Sequence, residues 1–224
     1  MTLPERPNVL FISIDALRAD RTSLHGYERP TTPTLEHLAK NALVCDNAVT
    51  SAAFTQAAFH TFLTSSLPLS HGGYDTGTDN RPSTVFKAFG DCGYETYILS
   101  TFQWISDLFG YDKGVDHLSY FFVINALVGT AGAVLRTHFE GFRDGKLDID
   151  QLLQKVEPFL LRLFDTLECY CDELTTRKSQ NQVDFVNSRF VNDGYNYAAI
   201  KRLVARHREK FLKDKRAYIR QYLS

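Results

Sequence analysis

Residues 7–20 read PNVLFISIDALRAD, and this stretch limits the fold more than any other. Residues 9–14 form a short apolar run, rich in β-branched side chains and closed by Asp15. A run of that length and content suits a strand in a parallel sheet covered on both faces. In open α/β sheets ligands gather beyond the carboxyl ends of the strands, so Asp15 stands where a site residue is expected. Asp15 also reads as a plain N-cap for a helical turn beginning at Ala16.

The rest of the chain supports an α/β reading. Thr34 is an expected N-cap for a helix carrying Leu35, Leu38, Ala39 and Leu43 at helical spacing. Residues 44–49 suit a short strand. Residues 54–66, FTQAAFHTFLTSS, give a helix starting near Thr55, with Ala57, Ala58, Phe59, Phe62 and Leu63 on its apolar side. A further helix starts within residues 83–89, and residues 94–100, YETYILS, read as a second parallel strand, completing a β-α-β alternation. From Asp148 onward the pattern is helical, with Leu153, Val156, Leu160, Leu163 and Leu167 on one face and Pro158 as a kink. Residues 177–181 are the expected linker, and a last helix begins near Tyr197. The division implied is an α/β domain over residues 1–120 and a helical region over 121–224.

With 224 residues, the chain can bury the core of one such domain and a helical appendage. The formal net charge of -1 gives no global pull toward nucleic acid, and no nucleic-acid partner is expected. Four cysteines lie singly apart from one C-x-C, at Cys169 and Cys171, which points to buried thiols in a reducing compartment rather than a disulfide framework. Residues 1–7 mix charge with two prolines and show no signal peptide, so a cytoplasmic location is the default expectation. Residues 118–135 are uncharged, but polar residues and glycines dilute them, and a buried helix is favoured over a membrane span. Over residues 196–224, nine Lys or Arg stand against Glu209 and Asp214, a local net of +7. Such a basic helix reads either as a solvated face or as a binder of an anionic surface.

Three blocks in order carry a family resemblance. They are NVLFISIDALRAD, then HGYERPTTPTLEHLAKNAL with Thr31, Thr32 and Pro33, then TSAAFTQAAFHTFLTSSLPLSHGGYD. Together they resemble the N-terminal part of the sulfatase family within the alkaline phosphatase superfamily, through the GYDKGVDHL block that ends at Leu118. The resemblance implies an alkaline-phosphatase-like parallel sheet flanked by helices, incomplete here, with a mostly helical C-terminal region. It implies that Asp15 is a metal ligand and that Thr55, at the nucleophile position, both binds the metal and attacks the substrate. The implied cofactor is a divalent cation, Ca²⁺ first and Mg²⁺ or Mn²⁺ as alternatives. The substrate implied is a sulfate or phosphate ester, free or linked to a glycan or lipid.

Sulfatases proper carry Cys or Ser at the nucleophile position and convert it to an aldehyde hydrate. Threonine has no such route, so the chain looks more like the Thr-dependent phosphoethanolamine and phosphoglycerol transferases. It also departs from the family pattern. Ala16 replaces a second Asp, and Ala57, Ala58 and Phe59 stand where a cation-bearing motif follows the nucleophile, leaving His60 as the candidate for substrate anion binding. The family's later Asp-His metal motif has no counterpart, since Asp116-His117 lies in a different block. One Asp and one Thr under-coordinate a divalent ion, which normally takes six or more oxygen donors. The expectation is therefore a metal-dependent hydrolase or transferase, or a partial and inactive member. The alternative is a catalytically silent protein that binds a protein or anionic partner through its helical region.

Overall fold

The computed structural model describes residues 6–71, 77–78, 81–122, 124–179 and 194–223. The chain forms two compact units, Met1–Thr55 and Gln56–Ser224.

The first unit holds α1 (Pro33–Ala39) and two short 3-10 turns, Ala19–Arg21 and Ser23–His25. Pro33 starts α1, where its missing N–H costs nothing and its fixed φ is already helical. The cap is therefore Thr32 rather than Thr34. Thr22 alone is buried among the described residues of this unit, so hydrogen bonds rather than a core organise it.

That shortage of core explains the main departure from the sequence reading. Residues 9–14 form no strand, and Leu10 and Ile12 are 83% and 69% exposed. A strand exists only through its ladder, and no ladder to this run forms among the described residues. The apolar pattern states what a neighbouring strand would have to cover, and this unit has no interior for it to enter. Residues 44–49 likewise form no strand, with Leu43 and Val49 exposed.

The second unit carries most of the regular structure. After α2 (Thr55–Thr64) and α3 (Val85–Asp91) come β1 (Tyr97–Ser100) and β2 (His117–Tyr120), paired in parallel with Tyr97 opposite His117. Alternation along β1 buries Ile98 and Ser100 and exposes Tyr97 and Leu99, so the sheet is covered on one face. The uncharged run over 118–135 is split between β2 and α4 (Ile124–Arg143), and no described helix is long and apolar enough to cross a membrane.

Helix α5 (Ile149–Ser179) runs unbroken through Pro158. Its residues Val156, Leu160, Leu163, Leu167, Tyr170 and Leu174 are buried and follow a three-four spacing, the seam pattern of paired helices. α6 (Tyr197–Lys213) answers with buried Tyr197, Val204 and Phe211, seven residues apart, and α7 (Lys215–Arg220) continues with Tyr218 and Ile219. Asn196 caps α6 by accepting the Ala199 N–H, and Asp214 ends it and caps α7 through the Ala217 N–H. The Leu160 face, a candidate docking surface in the sequence, is thus taken up inside the unit.

Part of the basic character of the last helices is matched in the same way. Lys201 pairs with Asp172, Arg208 with Asp165 and Glu168, Lys215 with Glu157, and Arg216 with Asp150. The partners run in opposite order along the two elements, so α6 and α7 lie antiparallel to α5 and match its acidic edge. Four of the nine basic residues behind the +7 thus serve internal register, with each exposed pair worth little by itself. Residues 177–179 of the expected linker are the end of α5, and 180–181 lie outside the described residues.

Cysteine burial also differs from expectation. All four thiols are free, but Cys45, Cys92 and Cys169 are exposed and only Cys171 is buried. Two helical positions two apart point to different sides, so Cys171 faces the α5 seam and Cys169 does not.

Candidate active site

Thr55 opens α2, and Asp15 lies at the tight turn that closes the apolar N-terminal run. Forty residues apart in sequence, they meet within the first unit, where Thr55 Oγ1 donates to Asp15 Oδ1 at 2.9 Å. Asp15 is exposed and Thr55 half-buried, so both oxygens are within reach of a ligand from solvent.

The turn that presents Asp15 is strained. Ala16 has φ of +56°, a left-handed conformation in which its Cβ crowds the backbone. Strain of this kind persists only where surrounding structure imposes it, and it clusters at functional sites. Thr55 at the first turn of α2 adds a second element, because unpaired N–H groups and the helix dipole favour anionic oxygen there.

The Thr31-Thr32-Pro33 block has a structural role that the sequence reading did not anticipate. Thr31 Oγ1 donates to the Arg21 carbonyl at 2.7 Å and accepts the Ser23 N–H at 3.1 Å. Thr32 Oγ1 accepts the Leu24 N–H at 3.3 Å, and its own N–H donates to Ser23 Oγ at 3.0 Å. Two adjacent hydroxyls ahead of a helix-starting proline thus lace down the loop that follows Asp15. Paired hydroxyl residues of this kind, beside a loop with no apolar anchor, are the signal that points to such lacing.

His60 sits in the second unit and is fully buried. A carbonyl only accepts, so its Nδ1–H donates to the Gln56 carbonyl one turn back, at 3.1 Å. In this conformation the ring offers no surface to a substrate. Asp116 and His117 are likewise engaged at the start of β2. Asp116 Oδ2 accepts the Thr96 N–H and hydroxyl, both at 2.8 Å, and these bonds hold its carboxyl below the usual range. His117 stacks on Tyr97 with centroids 4.4 Å apart and meets Glu95 Oε1 at 2.8 Å.

Asp15 and Thr55 offer hard oxygen donors, the chemistry that a divalent cation such as Ca²⁺ or Mg²⁺ takes. They make two donors of the six or more such an ion accepts, and no cluster of three or more His, Cys, Asp or Glu converges among the described residues.

The chain is similar to known proteins over part of its length. A family model described as Sulfatase matches residues 7–161, beyond the reach of the three sequence blocks and into α5. An arylsulfatase of Clostridium perfringens (strain 13 / Type A) is 32% identical over 97 residues, which are 42% of this chain and 20% of that protein. A protein named "Putative transferase YhbX" of Escherichia coli (strain K12) is 30% identical over 87 residues, 39% of this chain and 15% of that protein. The matched part of the chain thus spans about a fifth or less of the length of these relatives. No solved structure matches.

Proposed function

Because this chain belongs to the sulfatase family, we propose that it carries the nucleophile side of a site that hydrolyses or transfers sulfate or phosphate esters. Membership brings an alkaline-phosphatase-like α/β fold, represented among the described residues by the two-stranded parallel sheet and its flanking helices. The observation that carries the reading is the Thr55–Asp15 hydrogen bond, which joins a hydroxyl and a carboxylate from separate segments at a helix start.

The chemistry follows from that bond. Thr55 Oγ1 attacks sulfur or phosphorus, and as the new O–S or O–P bond forms, the bond to the ester oxygen breaks and its electron pair leaves with the departing alcohol. The hydroxyl proton passes to Asp15 Oδ1, which already accepts it in a hydrogen bond, and from there to the departing oxygen, so that it leaves as the alcohol and Asp15 is again ionised. Water then displaces the group from Thr55 in a hydrolase, or a second alcohol does so in a transferase. Asp15 and Thr55 would hold a divalent cation, Ca²⁺ first and Mg²⁺ or Mn²⁺ as alternatives. Such an ion supplies positive charge to the transferred group and lowers the pKa of a bound oxygen. Threonine at this place favours direct attack by the alcohol over aldehyde-hydrate chemistry, and so favours a phosphoryl-transfer branch.

Turnover of an aryl sulfate and a phosphodiester with added Ca²⁺, Mg²⁺ or Mn²⁺ tests the reading beside Thr55→Ala and Asp15→Ala. Activity that falls in both variants supports it. Equal rates in all three proteins overturn it.

A further inference from the structure

Five of the nine basic residues in the last helices take no part in the pairing with α5. They are Arg202, Arg206, Lys210 and Lys213 of α6 and Arg220 of α7. All five are exposed, and none makes an ion pair among the described residues.

The four on α6 are not scattered. At about 100° per residue, Arg202, Lys213, Arg206 and Lys210 fall within about 80° of arc, along about 16 Å of helix. The buried Tyr197, Val204 and Phe211 occupy the opposite side, and the paired Lys201 and Arg208 flank that buried side. The cations thus form one stripe that points away from α5. Ala199 and Leu203 share its face, both exposed, and Glu209 is the only acid in α6. Asp214, just past Lys213, is turned to the Ala217 N–H as the cap of α7. The face therefore keeps an excess of positive charge.

This stripe returns little to the fold. Lys210 and Lys213 lie in the last turn, where they suit the helix dipole. Arg202 and Arg206 do not, and like charges four residues apart, as at 202, 206 and 210, weaken a helix. The carboxylates nearest in the fold, Asp165, Glu168 and Asp172, are engaged by Lys201 and Arg208 on the other flank.

We propose that this face of α6 docks on an anionic bilayer surface. Such a surface spreads negative charge over an area, so a rigid row of cations is attracted as a whole and no register has to be met. A single acidic protein would have to meet the row with exposed ion pairs, each worth little. The face carries no aromatic or amide side chain to stack on a base or read it, and its Leu203 suits an acyl boundary. The stripe lies past the residues that the family model covers, and the docking is independent of Thr55 and Asp15.

Sedimentation of the full chain with vesicles tests it, using phosphatidylcholine alone, phosphatidylcholine with phosphatidylserine, and phosphatidylcholine with oleate at the same surface potential. Oleate brings negative charge without a phosphate or sulfate ester. Binding to both anionic vesicles and not to phosphatidylcholine is expected, falling steeply between low and moderate salt. Arg202→Gln together with Arg206→Gln should weaken it about tenfold or more. Lys201→Gln together with Lys215→Gln removes the same charge from paired positions and should change it less than about threefold. Equal weakening by the two double variants, or binding to phosphatidylserine vesicles without binding to oleate vesicles, overturns the proposal. So does the absence of binding to either anionic vesicle, or tighter binding to duplex DNA than to the vesicles, which would assign the stripe to nucleic acid.

Discussion

The Thr55 hydroxyl donates to the Asp15 carboxylate at 2.9 Å across forty residues of sequence. A side-chain bond between a loop carboxylate and the first residue of a helix fixes where the alcohol oxygen points. Both groups remain open enough to meet a substrate, which distinguishes this contact from a buried structural bond.

The strained turn beside that contact gives a stability prediction. Ala16→Val places a β-branched side chain at φ of +56° and should destabilise the first unit by about 1–2 kcal/mol. Ala16→Gly should be neutral to stabilising by up to about 1 kcal/mol, because glycine tolerates the conformation. Hydrogen exchange over residues 6–55 checks both.

Full burial of His60 separates a structural role from a substrate-binding one. His60→Ala should cost about 2–4 kcal/mol in urea denaturation, a cavity-scale loss. In the folded fraction the KM for an ester substrate should stay unchanged. A raised KM with unaltered stability would return His60 to the substrate.

Sequence patterning made part of this arrangement visible. The start of α2 at Thr55, the strand at Tyr97–Ser100 and the α5 seam all follow from local periodicity, because each is bounded by its own residues. The failed strand at 9–14 shows the limit: an apolar run specifies burial, but pairing belongs to the partner strand. The left-handed turn at Ala16 was illegible, since alanine gives no hint of positive φ. Part of the basic charge of the C-terminal helices could be understood only once α5 and its acids lay beside them. Asp15 and Thr55 were legible as single residues through family blocks, and their contact was visible only in three dimensions.

The antiparallel helices should depend on their seam far more than on their ion pairs. Phe211→Ala, at a fully buried position, should cost about 3–5 kcal/mol. Lys201→Gln should cost under about 1 kcal/mol, and raised salt should shrink that loss further. Thermal denaturation at two salt concentrations compares them.

Burial raises the Asp107 carboxyl above its ordinary value, against the opposing hydrogen bond from Tyr120. A raised carboxyl pKa means that the folded state binds its proton more tightly than the unfolded state does. This group's contribution to stability is therefore greatest at low pH and falls as pH rises from the ordinary carboxylate range through the raised value. Asn at this position keeps an oxygen that can accept from Tyr120 while removing the buried charge. Asp107→Asn should melt higher than wild type at neutral pH, with the difference shrinking on acidification. An unchanged difference across that range contradicts the assignment.

Peptide mass spectrometry of the full chain after incubation with an aryl sulfate or phosphodiester and a divalent cation tests the nucleophile directly. The account predicts a sulfo or phospho adduct on Thr55, absent in Thr55→Ala and formed about a hundredfold or more slowly in Asp15→Asn. An adduct on a different residue, or ester turnover that persists in Thr55→Ala, would contradict it.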